Sequence, residues 1–184
     1  SEYGASKAFT LKLGDGEYRD ISYSRYYEEI RCLGEALLCR GFSNTRIVII
    51  GKNSYNWYLA NMATLLTGNI TVPLDKELKY DEFESSLIRS EAEVIFYDEK
   101  ESESVAKAIS SGKTRIKAAF PLFKVSDKTD IYDLTVEGRE LIDGGSRKYD
   151  DVVINPDAMS FMIFTSGTTS QSKIVMLSQR NVAS

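Results

Sequence analysis

The segment from Phe164 to Lys173 gathers the groups in this chain best suited to meet a phosphate. Thr165, Ser166, Thr168 and Thr169 carry hydroxyls, and Lys173 offers a mobile point charge. Gly167 leaves the backbone free to take positive φ and to approach a ligand closely. Successive amides in such a loop form an anion-binding concavity. The chemistry available here is capture of a polyphosphate, with Lys173 neutralising charge. The plain alternative is a Ser/Thr-rich turn that only faces water.

The loop is not a Walker motif. That pattern requires a glycine, four residues, then Gly-Lys-Ser/Thr. Counted from Gly167, Ser172 stands at the second glycine and Ile174 follows Lys173. A Walker loop also opens a helix, whereas this one joins two apolar runs, Met159–Phe164 and Ile174–Leu177. The chain has no histidine, which excludes Ser-His-Asp triads and His-ligated zinc from these residues. Its two cysteines, Cys32 and Cys39, are seven residues apart on one predicted helix. That is about 10.5 Å along the axis, beyond the reach of a disulfide. They read as small core fillers and, being unpaired, fit a reducing cytoplasm.

The elements that must position the loop read as an α/β pattern. Phe9–Leu13 and Tyr18–Tyr23 flank Gly-Asp-Gly as a hairpin. Ser24 is placed to cap a helix running to Arg40, with Tyr26, Ile30, Leu33 and Leu37 on its apolar face and Gly41 as its stop. Ile47–Ile50, Ile70–Pro73 and Val94–Tyr97 are short apolar runs, the signature of strands buried on both faces. Helices are predicted over Ser54–Leu66, around Tyr80, Phe83, Leu87 and Ile88, and over Lys100–Ser111. Such alternation specifies a parallel-type sheet flanked by helices. From Ser111 to Asp151 the pattern fades, apart from a possible helix at Ile131–Ile142 and a turn at Gly144–Ser146. Ser178 opens one more helix.

Thr165–Thr169, Lys173, Val175–Ser178 and Asn181 resemble the phosphate-loop motif of the acyl-adenylate-forming (AMP-binding) enzymes, which include acyl-CoA synthetases, peptide-synthetase adenylation domains and luciferases. A second stretch is similar to the same family: Asn53–Trp57, then Gly68 through Val72-Pro73-Leu74-Asp75 to Lys76-Glu77-Leu78, whose wording is most similar to long-chain fatty acyl-CoA synthetases. Ile21–Tyr23 and Asn155–Asp157 add weaker matches. The resemblance implies that Thr165, Ser166, Gly167, Thr168, Thr169 and Lys173 contact the ATP phosphates, with Thr165 near magnesium. It implies a carboxylic acid, a fatty acid by this wording, converted to acyl-AMP and then to acyl-CoA, with ATP, Mg and CoA as cofactors and co-substrate. Residues 1–184 then read as a truncated N-terminal portion of the large domain, ending just after the loop and inactive alone. A carrier-protein-loading adenylation domain and a non-catalytic binding domain on the same scaffold are the alternatives.

Departures from the family pattern bear on loop rigidity. Ser170 and Ile174 stand where glycine is usual, Ser172 where proline is usual, and Gln179 where histidine is frequent. A β-branched Ile174 is strained if its position needs positive φ, and losing the proline raises the entropy cost of ordering the loop.

The remaining residues read as scaffold. Trp57, Tyr58 and Met62 are expected in the core, Asp75 in a turn or cap, and Glu99–Glu103 on a solvated helix face. At 42% apolar and 27% charged the chain can bury a core, and its net charge of −4 gives no reason to expect nucleic acid. No run is long enough to span a membrane, and Ser1–Lys12 does not read as a secretory leader. Peripheral membrane association stays open.

Overall fold

The computed structural model describes residues 3–125, 127–165 and 172–184. Strands β1 (Lys7–Gly14) and β2 (Glu17–Ser22) pair antiparallel, as the Gly-Asp-Gly turn between them predicts. Helix α1 (Tyr23–Cys39) follows at once. Its cap is Ser22 and not Ser24: the Ser22 hydroxyl accepts from the Arg25 amide at 3.3 Å, while Ser24 lies inside the helix and donates to the Gly4 carbonyl at 2.8 Å. The reason is the extended backbone of Ser22, which frees its side chain to turn back over the first turn. Gly41 ends the helix region with φ at 88°.

The main sheet contains β3 (Arg46–Ile50), β4 (Ile70–Leu74), β5 (Val94–Tyr97), β6 (Ala118–Pro121), β7 (Met159–Thr165) and β8 (Lys173–Ser178), in the order β6-β5-β3-β4-β7-β8. All neighbours are parallel except β7 and β8. Strand β6 has no clear sequence signal. It is a four-residue edge strand with two alanines and a proline, which such an edge tolerates because the missing N–H is not needed there.

Alternate residues of the central strands feed two cores. Ile47, Ile49, Val94 and Phe96 face α1, α2 (Tyr55–Leu66) and α5 (Ile131–Asp143). Val48, Ile50, Ile95 and Tyr97 face α3 (Tyr80–Ser90) and α4 (Ser102–Ser110). Ser54 caps α2 and Asp130 caps α5. Trp57 and Met62 pack against the first core as expected, but Tyr58 is exposed, its ring lying between Trp57 and Phe9 of the β1–β2 hairpin. Ile88 also turns outward while Phe83 and Leu87 are buried.

Cys32 is buried, Cys39 half-buried, and both are free thiols. Helices α1 and α5 approach so closely that a Cβ on Gly138 would overlap the Cys32 carbonyl, and the segment after α5 covers α1 so closely that a Cβ on Gly34 would sit 2.6 Å from the Tyr149 ring. Between them Glu35, 1% exposed, accepts from the amides of Lys148 (3.1 Å) and Tyr149 (2.8 Å) and from the Ser146 hydroxyl. Burial pushes the Glu35 carboxyl up, but the bonds from Ser146, Tyr149 and Lys148 outweigh it and hold it below its ordinary range.

Because the obstruction at Gly138 is backbone, it cannot relax by a rotamer change. Gly138→Ala is expected to destabilise the fold by about 2 kcal/mol or more, measured by chemical denaturation, whereas Gly144→Ala on the exposed turn should cost much less.

Candidate functional site

Strand β7 joins the sheet beside β4, where Thr71 pairs with Phe161 and Met162 is buried. It runs outward to Thr165, and β8 returns from Lys173 in register: Phe164 opposite Ile174, Thr165 opposite Lys173. The two predicted strands are therefore present, and Thr165 and Lys173, the site residues at their ends, face each other across one ladder position. The Thr165 hydroxyl lies 3.5 Å from the Lys173 carbonyl. Ser166, Gly167, Thr168 and Thr169, with Ser170 and Gln171, lie outside the described residues.

Lys173 is exposed, and among the described residues no carboxylate pairs with it. Arg89, from the last turn of α3, reaches the same mouth: its guanidinium donates to the Ser172 hydroxyl at 3.0 Å and to the Ser172 carbonyl at 2.7 Å. It also lies 5.3 Å from the centre of the Phe164 ring. Nothing in the spacing of α3 singles out Arg89, because its partner is 83 residues away. Ile174 carries no strain: it is an extended strand residue, and the described non-glycine residues with positive φ are Asp15, Asn44, Glu91 and Asp127.

A second concave region lies at the carboxyl ends of β3 and β5. The chain runs from β3 to β4 on one side and then crosses back to β5 on the other, so this is a switch point of the sheet. A cavity of about 300 Å³ is lined there by Ile50, Lys76, Phe83, Asp98, Lys100 and Glu101. Asp98 is 6% exposed; its Oδ2 accepts from the Lys52 amide at 2.7 Å, while its Oδ1 and the Glu101 Oε2 have no partner among the described residues. The expected solvated face over Glu99–Glu103 holds for Glu99, Lys100 and Glu103, while Glu101 departs from it by being half-buried. A 3₁₀ turn at Glu99–Glu101 precedes α4 and rotates Glu101 inward while Glu99, Lys100 and Glu103 stay exposed. Asp75 is a turn residue, as expected, accepting from the Glu77 amide at 2.9 Å. Among the described residues no group of three His, Cys, Asp or Glu side chains is arranged to hold a metal, and no helix is long and apolar enough to cross a membrane.

The family model for AMP-binding enzymes matches residues 2–184. Long-chain-fatty-acid–CoA ligase 1 of Cavia porcellus is 27% identical over 182 residues, covering 92% of this chain and 26% of its own length. The putative acyl–CoA ligase YdaB of Bacillus subtilis is 24% identical, covering 94% and 32%. This chain thus spans between a quarter and a third of such relatives. Among solved structures, a long-chain-fatty-acid-CoA ligase (FadD1) from Archaeoglobus fulgidus superposes with a TM-score of 0.79 at 19% identity, covering 99% of this chain and 35% of that one. ATP-bound MatB from Rhodopseudomonas palustris gives 0.71 at 19% identity, covering 94% and 34%.

Burial, reinforced by the neighbouring Asp98, pushes the Glu101 carboxyl above its ordinary value. Its charged form is therefore less favourable in the folded state, and its contribution to stability falls as pH rises from the unfolded to the raised folded pKa. Glu101→Gln should raise the thermal midpoint at pH 7 by about 1–2 °C. That gain should vanish on acidification below the ordinary glutamate range, as read by melting curves across pH.

Proposed function

The chain belongs to the AMP-binding enzyme family, and on that footing we propose that it is the phosphate-binding portion of an acid–thiol ligase acting on a carboxylic acid, with a fatty acid as the favoured substrate class. The observation that carries this reading is the pairing of Thr165 with an exposed Lys173, which has no carboxylate partner among the described residues, at the mouth of the β7–β8 pair. Two cations, Lys173 and Arg89, reach that mouth, which suits a polyanion. The fatty-acid assignment is supported by relatives whose names specify long-chain fatty acids.

In the proposed reaction a carboxylate oxygen of the acid bonds to the α-phosphorus of ATP and the bond to pyrophosphate breaks. The CoA sulfur then bonds to the acyl carbon and AMP leaves. This chain's part is electrostatic. Lys173 neutralises the triphosphate, and Thr165, Ser166, Thr168 and Thr169 donate hydroxyl or amide hydrogens to its oxygens while Gly167 permits close approach. Magnesium would add positive charge at the phosphates; it binds with few protein ligands when nucleotide oxygens supply the rest, and Thr165 is the residue proposed to face it. The two free thiols support a reducing, cytoplasmic setting.

Lys173→Ala in the intact protein should weaken MgATP binding about tenfold or more, read by calorimetry, with acid-dependent pyrophosphate release falling in parallel. Unchanged MgATP affinity would refute the phosphate-loop assignment. ATP binding without pyrophosphate release for any carboxylic acid would instead favour a binding domain. Residues 1–184 alone are expected to release no pyrophosphate, and measurable release would refute that division of labour.

A further inference from the structure

We propose that Arg89 is a positioning residue for the phosphate loop, gripping both strands at its mouth and replacing the rigidity that a proline at position 172 would supply. The proposal rests on the phosphate-binding reading of residues 165–173.

The grip is built from one planar cation and three contacts: a hydroxyl, a backbone carbonyl and an aromatic ring. The Arg89 guanidinium donates from one nitrogen to the Ser172 hydroxyl and from the other to the Ser172 carbonyl, at 3.0 and 2.7 Å. Two donors in a rigid fork fix the orientation of Ser172 as a single ammonium cannot. The same group lies over Phe164 at 5.3 Å, a cation–π contact on the opposite strand. Phe164 immediately precedes Thr165, and Ser172 immediately precedes Lys173. Both ends of the loop are thus tied to one side chain, beside the residues proposed to face the phosphates.

Arg89 is held in turn by the core. Phe83 and Leu87 bury α3 against the sheet, and Glu91 ends the helix in the left-handed region with φ at 53°. The Glu91 carboxylate is tied by Arg46 at 2.6 Å and Arg115 at 3.1 Å. The last turn of α3 is therefore fixed relative to the sheet. A proline at 172 would restrict φ and lower the entropy lost on ordering the loop. Serine does neither, but its hydroxyl provides the second acceptor that the fork uses. Among the described residues no carboxylate forms an ion pair with Arg89, so its charge adds to that of Lys173.

The test compares Arg89→Ala, Arg89→Lys and Arg89→Ala/Ser172→Pro in the intact protein, with Lys173→Ala as reference, by steady-state kinetics in MgATP and in the acid substrate. Arg89→Ala should raise KM for MgATP about tenfold with KM for the acid unchanged. Arg89→Lys, keeping charge without the fork, should show most of that loss. Adding Ser172→Pro to Arg89→Ala should restore KM for MgATP to within about threefold. A merely structural role would lower kcat through the active fraction and leave KM for MgATP unmoved, which would overturn the proposal. Full retention in Arg89→Lys with no rescue by Ser172→Pro would also overturn it, assigning the effect to charge alone. If Lys173→Ala raises KM for MgATP and Arg89→Ala does not, only the positioning role fails. If neither does, the phosphate reading fails and takes the positioning role with it.

Discussion

Burial of β3 and β5 on both faces is the constraint from which the other elements take their places. Ile47, Val48, Ile49 and Ile50 are each at most 2% exposed, and so are Val94, Ile95, Phe96 and Tyr97. Successive side chains of a strand point to opposite faces, so neither face can be left to water. Helices α1, α2 and α5 cover one, α3 and α4 the other. The parallel pairing follows, since each strand is reached only after a helix has crossed the sheet. At roughly 25 cal/mol per Å² of apolar surface, this double-sided burial dominates the favourable side of folding.

Apolar burial does not by itself choose one arrangement of loops, and buried polar groups do much of that work. Asn69, 1% exposed, accepts from the Thr45 amide at 2.8 Å and donates to the Phe42 carbonyl at 3.0 Å, locking the approaches to β3 and β4 together. Asn56 donates to the Leu122 carbonyl and to the Tyr132 hydroxyl, tying α2 to the residue just after β6 and to the first turn of α5. Glu35 does the same for residues 146–149. Each would cost free energy if left unsatisfied in the interior, so each disfavours other packings of the same apolar surface.

The paired strands β7 and β8 are attached at the β4 side of this scaffold. Their position depends on long-range contacts: Thr71 with Phe161 in the sheet, and Arg89 with Ser172 and Phe164 from α3. Under the proposed phosphate-binding role, anchors on rigid elements matter because charge-assisted contacts are only as good as their placement.

The sequence alone determined what depends on local patterning. Apolar runs at β3, β4 and β5, helix-period faces on α1 to α3, the Gly-Asp-Gly hairpin and the Ser/Thr/Gly loop before Lys173 are all legible because periodicity and turn chemistry act over a few residues. The α/β class and the family resemblance rest on those same stretches. Tertiary structure decided what depends on partners distant in the chain. Strand β6 becomes a strand by pairing with β5, since its own four residues carry little preference. Glu35 carries no local sign of its burial, and Glu101 reads as part of a solvated face, until the chain returns amides to the one and half-buries the other beside a cavity. Ser172 looks like a lost proline until Arg89, 83 residues earlier, is brought across to hold it. A side chain's chemistry is written in the sequence, but its partners and its burial are set only when the chain closes on itself.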